Sequence, residues 1–319
     1  LKGALVYIVI PNYNGLIHLR DCFESLMLQT FADFKVLLVD NNSSDDSINF
    51  TNKEYPQVEI VRMSYNTGFA KAVNAGVKEA LKDDRCKYVI LLNNDTECDR
   101  RFVEEMVNSV SNNDAGSGAC KMLNFSDRTI IDDAGDFIKR RGSPYARGFG
   151  EKDIKQYDKE EFIFGACAGA AIYKAEVFEK AGYFDDDFFA YYEDVDFSFR
   201  LQLMGYKCFY NPKAICYHKR GATTAASSGF QTYYCEKNLV ALRIKNYPLG
   251  MLLLSIPFFC IVRIKRYLNF LFHHSPSLFA SAAKGYFKGL SELPMSFRKR
   301  KEIMKNVKVS DAYIKNILR

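Results

Sequence analysis

Four short segments gather the side chains that could grip a polar ligand: PNYNG at 11–15, DNNSSDD at 40–46, SYNTG at 64–68 and NNDTE at 93–97. Asn, Asp, Ser and Gly also favour turns and helix N-caps for backbone reasons alone. Four such loops after apolar runs, two of them with an acidic residue close behind the run, are better explained by a nucleotide site. Further along, Glu193-Asp194-Val195-Asp196 supplies carboxylates able to take a proton from a hydroxyl. His218 follows the apolar segment 214–217 and precedes Lys-Arg-Gly, a place from which an imidazole can ligate a metal ion.

The elements that must position these residues are legible as hydrophobic periodicity. Leu5–Ile10, Lys35–Val39, Val58–Arg62 and Tyr88–Leu92 are short, nearly continuous apolar runs, as expected of strands buried on both faces of a parallel sheet. Between them, His18–Leu28 and Ala70–Leu81 place apolar residues on one helical face. Alternating strands and helices predict right-handed βαβ units, with ligands beyond the carboxyl ends of the strands. The four polar loops fall at that edge. Residues 111–160 read as polar and loop-rich, and no internal repeat is apparent.

Composition narrows the classes. The chain has 319 residues, 48% hydrophobic and 26% charged, which excludes disordered and collagen-like chains. Its nine cysteines are odd in number, scattered and without a C-x-x-C pair, which predicts reduced thiols in a cytoplasmic setting rather than a disulfide framework or zinc site. The run Ala4–Pro11 leads into a loop and does not read as a secretory signal. The net charge of +6 is unevenly distributed: residues 249–319 hold 13 Lys/Arg against 3 Asp/Glu, the rest 31 against 35. A change of character near 245 predicts two parts, 1–245 and a basic, partly apolar helical region at 246–319.

Seven segments, in order, resemble the inverting glycosyltransferases of family 2, nearest to rhamnosyltransferase-like and galactofuranosyltransferase-like members. They are VIPNYNG (9–15), VDNNSSD (39–45), NTGFAKAVNAG (66–76), LLNNDT (91–96), GACAGAAIYKAEVFEKAGYFDDDFF (165–189), YEDVDFSFRLQLMGY (192–206) and HKRGAT (218–223). The resemblance implies an α/β GT-A fold, with a mostly parallel sheet flanked by helices and a helical C-terminal extension. It implies a UDP- or dTDP-sugar donor, rhamnosyl-like by preference, and a glycan or glycolipid acceptor in cell-surface polysaccharide synthesis. Around the nucleotide it places Pro11, Tyr13, Asp40, Asn66, Gly68, Lys71 and Asn94, with Asn74 in the same segment. Asp40 would accept the ring N–H of the base.

The resemblance sets Asp95 at the D-x-D-like metal motif. With Asn93 at its first position, one carboxylate remains for Mn²⁺ or Mg²⁺. His218 is the implied second ligand, and imidazole suits Mn²⁺ better. Asp194 is the implied base, while Glu193 supports it and Asp196 is expected to cap the helix after it. Asp185–Asp187 are expected to shape the acceptor loop. Phe188, Phe189, Tyr191 and Tyr192 are the nearest substitutes for the absent Trp in sugar stacking, and some of them must be core because so dense an aromatic cluster is costly to expose entirely. The small residues 165–171 would admit the donor diphosphate or allow tight packing.

The tail opens on Leu249–Val262, too short to span a bilayer and followed by Arg263, Lys265 and Arg266. An anionic membrane surface reached from the cytoplasm, or packing on the body or a second subunit, accounts for it. No nucleic-acid module accompanies the charge. Two other classes share the loops: a nucleotidyltransferase, disfavoured because PNYNGLIHLR offers no Gly-rich basic cradle, and a non-catalytic, membrane-attached nucleotide-sugar-binding protein, kept open by Asn93.

Overall fold

A computed structural model describes residues 5–139, 142–220, 229–274 and 276–319. The first half alternates as the periodicity predicts: β1 (Leu5–Asn12), α1 (Leu16–Met27), β2 (Phe34–Asp40), α2 (Ser47–Glu54), β3 (Glu59–Arg62), α3 (Phe69–Ala80) and β4 (Cys86–Leu92). These strands lie parallel in the order β4-β1-β2-β3. Both faces are covered, by α1 and α2 on one side and α3 on the other, so Val6, Ile8, Leu38 and Ile90 belong to one core while Val9, Leu37, Val39 and Leu91 belong to the second.

The continuation is β5 (Thr96–Cys98), α4 (Phe102–Ser111), β6 (Ser117–Asn124), β7 (Ile131–Asp133), β8 (Asp136–Ile138), β9 (Pro144–Ala146), β10 (Glu161–Ile163), β11 (Ala170–Lys174), α5 (Ala175–Ala181), α6 (Glu193–Leu203) and β12 (Cys208–His218). β11 enters antiparallel between β4 and β6, and β12 lies parallel to β6. The sheet is therefore mixed and ten-stranded, with β8 and β9 a separate hairpin. The segment expected to be loop-rich contains the buried strand β6. Its Ser-Gly-Ala-Cys composition hides it in the sequence, and Gly118 is small because Ser109 and Ile172 press on it from either side.

Five further helices follow: α7 (Gly229–Asn246), α8 (Leu249–Asn269) continuing into a π-helical turn (Phe270–His274), α9 (Pro276–Ser291), α10 (Leu293–Lys305) and α11 (Asp311–Ile317). The apolar stretch expected over 249–262 is one continuous 21-residue helix, with Pro257 tolerated on its outer side. The helices fold back onto the body. Arg300 donates to the carbonyls of Ile244 and Tyr247 (2.8 and 2.6 Å), Tyr313 Oη to Gln202 Oε1 (2.6 Å), and Lys308 N to Leu203 O (2.8 Å).

The deepest of these links is ionic. Lys245 of α7 pairs with Asp185 and, at 2.8 Å, with Asp196, while Lys299 of α10 pairs with Asp185 and Asp187. Burial works against the charge of Asp185, but Lys245 and Lys299 outweigh it and hold the carboxyl below its ordinary value. That contribution to stability is complete above the unfolded carboxyl's pKa and is lost as pH falls through the lower folded value. Asp185→Asn should lower the unfolding free energy by about 3 kcal/mol at pH 7. The difference from wild type should narrow below about pH 4. A urea midpoint unchanged at pH 7 would show that the link contributes nothing.

Candidate active site

The carboxyl ends of β1, β2 and β4 deliver the predicted polar loops to one edge, where their amides lock onto one another. Asn12 Oδ1 accepts from Asn94 Nδ2 at 2.7 Å, and Asn12 Nδ2 donates to Ser43 Oγ at 3.2 Å. Asn41 uses its whole amide: Oδ1 accepts from Thr67 N and Oγ1, and Nδ2 donates to Asn66 Oδ1 and Gly68 O. Asn14 Oδ1 accepts from Ser44 N at 2.7 Å, and Asp45 Oδ2 caps α1 through Leu16 N at 2.9 Å. Asn66 and Asn94 therefore serve the scaffold with the atoms described. Asn74 points away from the edge, to the backbone of Phe184 and to Asp186. Asp40 is buried, and among the described residues its carboxylate accepts only the Ser43 N–H, at 3.3 Å from each oxygen. Pro11 is half-buried and Tyr13 is exposed, while half-buried Lys71 has no ion pair among the described residues.

At the end of β4, Asp95 meets His218, the last residue of β12, because Thr96 and His218 are register partners. His218 Nε2 lies 3.2 Å from Asp95 Oδ1, and Nδ1 lies 2.8 Å from Asp132 Oδ2. Arg220 Nε lies 2.6 Å from the other oxygen of Asp132. Burial would lower the pKa of His218, but its hydrogen bonds to Asp132 and Asp95 and their charges outweigh it and raise it to about 10. The same two donors, Asp95 Oδ1 and His218 Nε2, would hold a divalent cation once the imidazole gives up its proton. A buried carboxylate oxygen beside an imidazole nitrogen suits Mn²⁺, and Asp132 orients that imidazole from behind. The Asn93 amide stands 3.4 Å from His218 Nε2. The remainder of the HKRGAT segment, 221–223, lies outside the described residues.

The second group of acids surrounds Asp194. One Asp194 oxygen accepts the Ala168 N–H at 3.1 Å and the other its neighbour Val195 N–H at 2.8 Å. Burial raises its pKa and these N–H groups only partly offset that, so the carboxyl is more basic than usual. Asp133, Asp136 and Glu193 adjoin it, all raised chiefly by burial, with Asp133 at about 7. Asp133 Oδ2 and Glu193 Oε2 find no hydrogen-bond partner among the described residues. Asp133, Asp136 and Cys167 bring three donor atoms within 4.8 Å of one another. Burial pushes all three toward their neutral forms and one is a soft thiol, so the trio fits Mn²⁺ or Mg²⁺ less well than Asp95 and His218.

A strained turn presents Asp194. Tyr191 and Tyr192 both adopt φ of 69°, a left-handed conformation disfavoured for bulky residues. Asn238 of α7 holds the turn, donating to the carbonyls of Ala190 and Tyr191 at 2.9 and 2.8 Å. One expectation changes here and two open ones are decided. Asp196 is not the cap: Tyr192 occupies that position, and Asp196 lies inside α6, fully buried and bound to Arg200, Lys245 and Asn246. Phe188 is core, its ring 4.7 Å from Lys245 Nζ. Phe189 stacks on Tyr234 with centroids 5.2 Å apart. Gly165 serves tight packing, against Ser198 of α6. Sequence reasoning missed Asp132, Asp133, Asp136, Arg220 and Asn238. The Ile-Asp-Asp-Ala-Gly run at 131–135 was the one visible signal, an acidic pair set in an apolar context.

Gly68 begins α3 with φ of 81°, and a Cβ there would collide with the Phe189 carbonyl. Gly68→Ala should lower stability by about 2 kcal/mol. A wild-type melting temperature would show that this close approach is dispensable.

Comparison with known proteins supplies the family. Glycosyl transferase family 2 matches residues 7–182, more than half of the chain. The N-acetylglucosaminyl-diphospho-decaprenol L-rhamnosyltransferase of Mycobacterium tuberculosis is 24% identical over 243 residues, covering 68% of this chain and 76% of its own length. The O-antigen biosynthesis protein RfbC of Myxococcus xanthus is 26% identical over 237 residues, 70% of this chain but only 18% of RfbC. GalNAc-T7, solved with UDP, GalNAc and Mn²⁺, superposes with a TM-score of 0.70 at 15% identity, over 98% of this chain and 56% of that one. The chain thus spans little more than half of that structure, whose likeness establishes the GT-A fold. The protein belongs to glycosyl transferase family 2 and is a glycosyltransferase.

Proposed function

We propose that the chain is an inverting, metal-dependent glycosyltransferase that moves a sugar, rhamnosyl by preference, from a UDP- or dTDP-sugar to a hydroxyl of a glycan or lipid-linked acceptor. The setting that fits is cell-surface polysaccharide synthesis, in line with the names of the Mycobacterium and Myxococcus relatives. The observation that carries the reading is the convergence at one sheet edge of a buried Asp40, the Asp95–His218 donor pair and a basic Asp194. Residues 1–245 would form the catalytic part and 246–319 its helical extension.

In this reading Asp40 accepts the N–H of the pyrimidine ring, and Pro11 and Tyr13 border the base. Lys71 approaches phosphate. Asn66, Gly68 and Asn94 act indirectly, by fixing the loops. Asp95 and His218 hold Mn²⁺ or Mg²⁺, which supplies Lewis-acid neutralisation of the departing nucleoside diphosphate. Asp194 removes the proton from the acceptor hydroxyl as its oxygen bonds to the anomeric carbon and the bond to the diphosphate breaks. A single displacement of this kind inverts that carbon. The raised basicity of Asp194 favours the transfer.

The test is a donor panel incubated with Mn²⁺ and the full chain, which should release UDP or dTDP. Absence of release from every donor, with the fold intact, would point instead to a binding protein. Asp194→Asn should lower transfer by about 10²- to 10⁴-fold while nucleotide affinity stays near wild type; loss of nucleotide binding would remove Asp194 from the role of base. Asp132→Asn should weaken Mn²⁺ binding in the presence of nucleoside diphosphate by about 10- to 100-fold. An unchanged titration would mean that His218 needs no orienting partner.

A further inference from the structure

α8 is built inside out. Its inner face is mixed: Leu252 and Phe259 are buried beside Ser255, whose Oγ accepts from Arg243 at 2.7 Å, and Arg263, whose Nη1 lies 2.7 Å from Glu236 of α7. Its outer face holds the hydrocarbon. Leu249, Leu253, Ile261 and Ile264 are exposed, with Leu254 at 78% and Phe272 of the following turn at 70%. A surface helix of a water-soluble protein shows the opposite arrangement. Single exposed apolar residues are unremarkable, but a continuous face of them marks an interaction surface.

The charges around this face indicate what covers it. From 249 to 291 the chain has five Lys or Arg and no Asp or Glu. Lys265 and Lys284 are exposed and have no ion pair among the described residues, while Arg266, 42% exposed, lies 3.0 Å from Glu236. Two copies meeting through the face would set this positive rim against itself, which is unfavourable. An anionic bilayer neutralises it while its acyl boundary accepts the leucines and isoleucines. No helix among the described residues is long and apolar enough to cross a membrane, so α8 would lie in the interfacial plane.

The face is also at the useful end of the molecule. α7 and α8 run antiparallel, since Arg243 meets Ser255 and Glu236 meets Arg263 and Tyr267. The start of α7 lies against the site: Phe230 and Tyr234 pack on Phe189, whose carbonyl accepts the Phe69 N–H next to Gly68. The last turns of α8 therefore sit about 9 Å along α7 from the edge of the site. We propose that the outward face of α8 and the turn after it dock on an anionic lipid bilayer and hold the mouth of the site at its surface. This deepens the proposed function, resting on its lipid-linked acceptor.

The experiment is flotation of the full chain with vesicles of phosphatidylcholine alone or mixed with phosphatidylglycerol. The chain should float with the mixed vesicles at low salt and lose most of that binding once the rim charges are screened. Leu254→Glu/Ile261→Glu changes only exposed positions, so its melting temperature should match wild type while vesicle partitioning falls at least about tenfold. Flotation of the double variant equal to wild type, or no flotation of wild type with either vesicle, overturns the proposal. So does a wild-type dimer in sedimentation that the double variant converts to monomer, which would give the face to a second copy. Nucleoside diphosphate release from donor, measured without vesicles, is read separately, so a failed flotation leaves the transferase reading intact.

Discussion

Asp196 is a carboxylate with no access to water, and most of the active half of the molecule is arranged around satisfying it. An unmatched buried charge would cost several kcal/mol. Arg200 from the same helix, Lys245 and Asn246 from α7 surround it instead. Arg200 also takes the carbonyls of Ala181 and Tyr183, and Lys245 reaches on to Asp185. One ion thus fixes the register of α6, the course of the loop before it and the seat of α7. Asp194 is two residues away on the same helix, so its position is a consequence of that arrangement. The left-handed pair Tyr191 and Tyr192 is tolerated because Asn238, on the same α7, binds the carbonyls on either side of the turn.

The polar edge is organised differently. Its amides are largely engaged with one another, which leaves Asp40, Tyr13, Lys71 and the Asp95–His218 pair, among the described residues, for the ligand proposed above. In that reading, fixed loops keep the base and diphosphate ends of the site at a constant separation. The relay from Arg220 through Asp132 to His218 extends the same logic to the proposed metal position. It sets the imidazole's orientation from β7.

The helical extension is both brace and surface. Lys299 and Arg300 tie α10 to the loop carrying Asp185 and Asp187 and to the end of α7, so the extension helps to hold the start of α6 in place. α8, by contrast, gives the body its polar side and presents hydrocarbon outward. The basic excess seen in the composition is divided accordingly between these buried ties and an exposed rim.

The sequence by itself determined the βαβ order and the edge at which the loops gather, because strand periodicity and motif order are local properties, and it put forward Asp40, Asp95, Asp194 and His218 as the residues proposed above. It could not reveal β6, whose small residues look like a loop until Ser109 and Ile172 fill the space beside Gly118. Nor could it tell which of Asp194 and Asp196 is the buried anchor, since two acids two residues apart in one helix differ chiefly in what packs against them. Asp132, Asp133 and Asn238 gained their places from strands and helices distant in the chain. The polarity of α8 was likewise undecidable from its own residues. An apolar stretch looks like core in sequence, and only the tertiary structure, by turning Ser255 and Arg263 inward to meet Arg243 and Glu236, left the hydrocarbon outside.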